Sequence, residues 1–457
     1  MSVQSSTQSS AVDLRPNLLR QSTINGVREA FASPPLRPQA YTYPTSDSNA
    51  AFRARPSKKQ RPQSTMLSGP ITKPWIKHKD VRGRIAYFLT YGMILVGVAA
   101  AAVRCYFGWI AVPLLGNLCL VLDDQFNDTE LNTESVWMRE VDLGGFGNGE
   151  FEMTTASTNN SFIRNNQLYL LPTLTSSVIG QAAVFDGYTF NLTGCTDTNL
   201  TACGVVSNNT QGTVINPVMS ARISTKGKKS IQYGRVEVRA KLPRGDWMWP
   251  AIWMLPENNT YGPWPMSGEI DIMESRGNSP DYPAQGINYV RGSLNWGPLT
   301  WLNAVSKTFG WWTTRRTSYD QDFHTYALEW TEKFLRIYVD SRLTHMLNLQ
   351  FNEPFFERGD FPASVSNASQ EIILNNPWVG RGNSAPFDQP FYLILDVAIG
   401  GTNGWFPDGA GNKPWLNGAT NAMQVFAQKQ DEWLATWPED DDDRAMRVDS
   451  VKMWQQC

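Results

Sequence analysis

Residues 267–275 read SGEIDIMES. Three carboxylates, Glu269, Asp271 and Glu274, fall within six positions, interleaved with Ile270, Ile272 and Met273. Successive side chains of a strand point to opposite faces, so Glu269 and Asp271 share one face and the two isoleucines the other. Strict alternation would then turn Glu274 in among the isoleucines, where an unpaired carboxylate is costly to bury. One inserted residue removes the conflict. A β-bulge around Ile272 and Met273, with Met273 as the extra residue, returns Glu274 to the carboxylate face. Like charges on one face repel, so packing alone does not assemble such a trio. Glycoside cleavage does use paired carboxyl groups, one protonated and one ionised, about 5–5.5 Å apart in a retaining enzyme. Along an extended strand the two glutamate Cα atoms lie roughly 13 Å apart, so the side chains must lean together over Asp271. The competing reading is a solvated acidic edge.

The surroundings weigh against that edge. Upstream runs GDWMWPAIWMLPENNTYGPWPM and downstream SRGN and SLNWGP, in a chain of 457 residues with 18 tryptophans. Flat indole faces suit sugar rings, although core packing accounts for many buried tryptophans. Trp264, five residues before Glu269 in a proline-flanked loop, is the least core-like of them. Further out, YGRVEVRAKLP, FLRIYVD and AMRVDSVKMW alternate polar and apolar residues, as half-buried strands do. Gly- and Pro-rich turns separate them, and no βαβ alternation or internal repeat appears. The pattern predicts an all-β sandwich from about residue 117 onward. One helix is expected over Asn421–Ala435, and a solvated surface loop, rather than a calcium site, over the acidic run Glu439–Asp443.

The N-terminal quarter differs in kind. Up to Arg84 there are 14 Lys and Arg against 4 Asp and Glu, a surplus of ten, so the remainder carries −12 of the net −2. Nine prolines and no apolar period mark residues 1–84 as a disordered basic tail. Ile85–Val103 holds 19 residues without a charge, long enough to span a bilayer, which sets a transmembrane helix at residues 85–104. KHKDVRGR just before it places the tail in the cytosol by the positive-inside rule and the rest on the lumenal side. Basic residues in a tail beside an apolar segment suit a membrane and not a nucleic acid. Apolar character continues to Leu122, broken by Pro113 and Gly116, and a second crossing there would reverse the topology. Seven N-x-S/T sequons, at Asn127, Asn159, Asn191, Asn199, Asn208, Asn258 and Asn367, all follow the apolar segment and favour a single crossing. Of five cysteines, Cys195 and Cys203 can close a short loop, and Cys119 can meet Cys457 if the terminal strands are neighbours; free buried thiols are the other possibility. Cys105 is left at the membrane boundary.

GEIDIMES, WPAIWMLP, the FHTYALEW stretch and ILDVAIGGTNGWFPD together resemble glycoside hydrolase family 16, closest to its laminarinase-type branch and the related β-glucan recognition proteins. The likeness covers about three quarters of the chain. It implies a concanavalin-like β-jelly roll with a glycan cleft across one curved sheet, and paired terminal strands that would allow a Cys119–Cys457 bridge. It implies Glu269 as nucleophile, Glu274 as general acid/base and Asp271 as the residue that positions the nucleophile. Asn148, Trp249, Trp253, Trp264 and His324 match positions that line or support the cleft. The expected partner is β-glucan, with no cofactor and no metal. A cytosolic tail, one span and a family-16-like lumenal domain are also the layout of fungal membrane proteins of glucan assembly. Two departures stand out: Asn295 where the family often has His, and Asp396 where it has Asn. Both are expected to alter cleft polarity without touching the carboxylate trio.

Overall fold

A computed structural model describes residues 65–66, 68–77, 80–367 and 370–457. Much of the expected basic tail lies outside the described residues. The apolar segment forms one helix, Val81–Ile110, with no buried residue. It exceeds the expected span at both ends, and 30 residues at 1.5 Å per residue reach about 45 Å, more than a bilayer core. The chain then turns into a strand, Leu118–Asp124, instead of a second apolar helix.

Two antiparallel eight-stranded sheets form the folded domain. One runs, in spatial order, Phe309–Thr313, Tyr289–Asn295, Glu269–Glu274, Met248–Pro256, Phe391–Ile399, Arg222–Ser224 and Met138–Glu140, with Ser230–Ile231 also paired to Phe391–Ile399. The other runs His345–Gln350, Phe334–Val339, His324–Trp330, Gly234–Lys241, Met446–Gln456, Gln167–Leu170 and Ser161–Arg164, with Leu118–Asp124 on the outer part of Met446–Gln456. Alternation places the core between them. Ile252, Met254, Leu393, Leu395 and Val397 of the first sheet pack with Val236, Val238, Leu328, Ile337 and Val451 of the second, all essentially inaccessible. At roughly 1.5–3 kcal/mol per buried aliphatic side chain, this shared apolar layer is what holds the sheets face to face. The protein is a β-sandwich of the jelly-roll class.

The terminal strands are neighbours. Leu118 lies opposite Gln456, the Cys457 amide donates to the Asn117 carbonyl at 2.9 Å, and Cys119 and Cys457 form a disulfide. Cys195 and Cys203 form the second disulfide, and Cys105 is free and exposed.

Two local expectations are corrected. Asn421–Ala435 is not one helix but two, Ala422–Gln428 and Gln430–Leu434, broken at Lys429. The Trp433 indole donates to the Phe426 carbonyl at 2.9 Å and stacks on the Phe426 ring, which favours the break over a continuous helical ladder. The acidic run is not a free loop either. Asp440 caps a short helix, Asp441–Arg444, whose acids pair with Arg164, Lys241 and Arg447.

Candidate active site

The bulge forms where the carboxylates require it. Against Met248–Pro256, Ile252 pairs with Met273 and Trp253 with Asp271, so Ile272 is the residue skipped. Against Tyr289–Asn295, Asp271 pairs with Ser293 and Glu274 with Arg291, leaving Ile272 and Met273 together opposite Gly292. The inserted residue is therefore Ile272 and not Met273. Both side chains enter the core with Ile270, because two residues facing one send consecutive side chains to the same side. Gly292 is required there, since a Cβ would fall 2.8 Å from Ile337.

Parity restored, Glu269, Asp271 and Glu274 open on the face turned away from the core, in a cleft of about 770 Å³. Odd-numbered residues of Met248–Pro256 (Trp249, Trp253) and even-numbered ones of Phe391–Ile399 (Tyr392, Asp396) share that face. Asn148 and Trp264 join from loops. Trp249 donates its indole N–H to Glu274 at 3.2 Å and Trp264 to Glu269 at 3.0 Å, so both tryptophans orient carboxylates as well as lining the cleft. The Trp253 indole donates to Asp396 at 2.7 Å. Asn148 accepts from Asn403 at 3.0 Å and donates to Glu150 at 2.8 Å.

His324 is the exception among the expected residues. It belongs to His324–Trp330 in the opposite sheet, paired with Ala240, and its Nδ1 lies 2.7 Å from Asp340. The register that gives FHTYALEW its core residues carries the imidazole away from the cleft, so it neither lines it nor touches any of the three clustered acids.

The trio is bridged by donors. Asn295 Nδ2 lies 2.7 Å from Glu269 Oε1 and 2.8 Å from Asp271 Oδ2. Ser293 Oγ donates to Asp271 Oδ2 at 2.6 Å and sits 3.4 Å from Glu274 Oε2. The expectation that Asn295 leaves the carboxylates untouched is thus overturned. Its register opposite Glu269 puts its amide between two of them. Asn303 donates to Asn295 Oδ1 at 2.7 Å, which fixes the amide with its N–H₂ toward the acids. Asp396 remains clear of the trio and faces Arg222, whose guanidinium lies between the rings of Phe146 and Trp253, 4.0 and 4.7 Å from their centres. Nothing in the motif pattern pointed to Arg222, Ser293 or Arg291. The last two are legible only from their register opposite Asp271 and Glu274.

Burial raises every proton affinity in the group. Burial, then the charges of Glu269 and Glu274, pushes Asp271 well above the usual carboxylate range. Burial and the charge on Glu274 push Glu269 up to about 7. Glu274 is raised by burial, with the Arg291 guanidinium, 4.0 Å away, pulling it back. Burial takes Asp396 up to about 7 against the pull of Arg222. Proton affinities raised together in this way favour keeping one carboxyl protonated beside an ionised one, the condition for an acid and a nucleophile to coexist.

The sequence profile of Glycosyl hydrolases family 16 matches residues 195–384. A β-1,3-glucan-binding protein of Penaeus monodon is 40% identical over 347 residues, covering 74% of this chain and 90% of that protein. Glucan endo-1,3-β-glucosidase A1 of Niallia circulans is 32% identical over 297 residues, covering 63% of this chain and 35% of its own length. Among solved structures, the laminarinase of Rhodothermus marinus is 26% identical, covers 75% of this chain and 98% of its own, and superposes with a TM-score of 0.45.

Proposed function

Because the chain belongs to glycosyl hydrolase family 16, we propose that it is a retaining endo-β-glucanase acting on 1,3- or mixed 1,3/1,4-linked β-glucan. The observation that carries this reading is the donor-bridged trio inside an aromatic cleft. In the proposed first step a Glu269 oxygen attacks the anomeric carbon as the glycosidic C–O bond breaks, and Glu274 gives its proton to the departing oxygen. Water then attacks the glycosyl ester, Glu274 takes the water's proton, and Glu269 leaves as a free carboxylate. Asp271 accepts from Ser293 and Asn295 on Oδ2, and the Asn295 amide that it shares with Glu269 holds the nucleophile in place.

Transfer to a sugar acceptor instead of water uses the same intermediate and is the second reading, a wall-glucan transglycosylase. Glucan binding without turnover is the third, favoured by the name of the Penaeus relative and opposed by the complete trio. Product analysis separates them, using detergent-solubilised full-length protein on linear 1,3-, mixed 1,3/1,4- and 1,6-glucans. Reducing ends released from laminarin with the β-anomer formed first support hydrolysis. Extension of a labelled acceptor without net reducing ends replaces it by transfer, and binding with no turnover on any glucan leaves a receptor.

The long apolar helix and the preceding basic residues support a single-span anchor with the cleft domain lumenal or extracellular. A glycosidase that removes N-linked glycans should then increase the gel mobility of the membrane-bound protein.

The amide bridge makes its own prediction. Asn295→Ala should lower kcat about 100-fold, the lower end of the cost of losing one preorganised donor, and move the acidic limb of the pH profile upward, because Glu269 loses a bond to its charged form. Asn295→Asp should do more damage by adding a fourth carboxylate. An unchanged pH profile in Asn295→Ala would show that the amide only fills space.

A further inference from the structure

The strand Phe309–Thr313 (FGWWT) is one edge of the carboxylate-bearing sheet. Phe309 lies directly opposite Ser293 and Trp311 opposite Arg291; these in turn lie opposite Asp271 and Glu274. Residues directly opposed in an antiparallel pair project to one face, so Phe309 and Trp311 stand on the same face as the trio. Packing does not account for them: Phe309 is 38% and Trp311 50% exposed, where edge strands of soluble domains ordinarily carry charge. Their rings lie 24° from parallel with centroids 5.8 Å apart. Arg291 joins them to the reaction centre, its guanidinium 4.8 Å above the Phe309 ring and its Nε 4.0 Å from Glu274. The Trp253 and Arg222 side of the cleft lies across the carboxylate strand from this pair. The trio is therefore flanked by aromatic surfaces on both sides.

We propose that Phe309 and Trp311 form a second glycan-binding surface, which takes the part of a β-glucan chain lying beyond the scissile bond from the Trp253 side. This rests on the β-glucan reading above. β-Linked glucose carries its hydroxyls equatorially, leaving flat C–H faces that stack on aromatic rings. Two strand spacings, about 10 Å, separate the carboxylate strand from this edge, a distance that roughly two sugar rings cross. The surface holds the segment that departs in the first step, and an acceptor chain would occupy the same place.

Steady-state kinetics on laminarin with full-length solubilised protein test this. In the double variant Phe309→Ala/Trp311→Ala, KM for laminarin should rise roughly tenfold, the scale of one or two lost aromatic contacts. Trp312, on the same strand and 37% exposed, points to the opposite face, and Trp312→Ala should leave KM within about twofold. Equal KM in wild type and double variant would overturn the surface and leave the glucanase reading intact. An equal rise in Trp312→Ala would make the effect one of strand integrity and overturn it too. Loss of a dimer without a change in KM would assign the edge to self-association instead. If wild-type protein neither binds nor cleaves laminarin, the glucanase reading falls and the surface with it.

Discussion

Glu269→Gln is expected to lower laminarin turnover by about 10⁴-fold or more, the scale on which losing a covalent nucleophile is felt, while laminarin still binds. Glutamine keeps the size of the side chain and its one carbonyl oxygen can accept from either Asn295 or Trp264, but it forms no glycosyl ester. A smaller residue gives an independent reading. In Glu269→Gly, added azide can enter the vacated space, attack the anomeric carbon and release a glycosyl azide of inverted configuration. Undiminished hydrolysis in the glutamine variant, or azide products only of retained configuration in the glycine variant, would take the nucleophile's role away from Glu269.

The same glutamine substitution should act on stability with the opposite sign. Burial and the charge of Glu274 raise Glu269 to about 7 in the folded protein, against about 4.3 for an unfolded glutamate. The folded state thus binds this proton more tightly than the unfolded one. Its contribution is fully present below about pH 4.3 and is lost as pH rises through about 7. At pH 8 the wild type carries a penalty on the order of 4 kcal/mol that the variant lacks, so Glu269→Gln should melt at a higher temperature there and converge with wild type near pH 4. Matching melting temperatures at pH 8 would mean that the charges are relieved by solvent. The same shift places the acidic limb of activity near neutrality, because the nucleophile must be ionised to attack.

Glu274→Ala is the second large effect, and its size should depend on the leaving group. Removal of a general acid typically costs about 10²–10⁴-fold, and laminarin, whose departing sugar needs a proton, should show the upper part of that range. A dinitrophenyl glycoside needs no proton to depart, so its first step should be nearly spared. The missing base then slows hydrolysis of the ester, and the dinitrophenolate should appear as a burst followed by a slow steady rate. Azide should accelerate that second phase and give product of retained configuration. Equal losses on both substrates, without a burst, would show that Glu274 shapes the site through Trp249 and Arg291 without transferring a proton.

Asn295 shows where reading the chain by itself stops. Its replacement of a histidine was visible, yet it looked remote, being more than twenty positions from the carboxylates. Pairing with Glu269 puts its amide within hydrogen-bond reach of two of them. His324 fails in the other direction: it lies in a stretch that identifies the family, but the partner of its strand is Gly234–Lys241 in the opposite sheet. Resemblance along the chain located that strand without saying which sheet it would join. The bulge is intermediate. The need to keep Glu274 out of the core was evident from six residues, whereas the choice of Ile272 over Met273 depends on the register of Met248–Pro256.

The amino-acid sequence by itself determined the β-sandwich, the bulge, the carboxylate trio and the long apolar helix, because alternation, charge repulsion and hydrophobic length act over a few neighbouring residues. Only the tertiary structure decided that Asn295 and Ser293 bridge the acids, that Arg222 sits between Phe146 and Trp253, and that Phe309 and Trp311 extend the carboxylate face. Those relations follow from which strand pairs with which and in what register, and cross-strand hydrogen bonds between residues far apart in the chain set that register once the two sheets close over their common core.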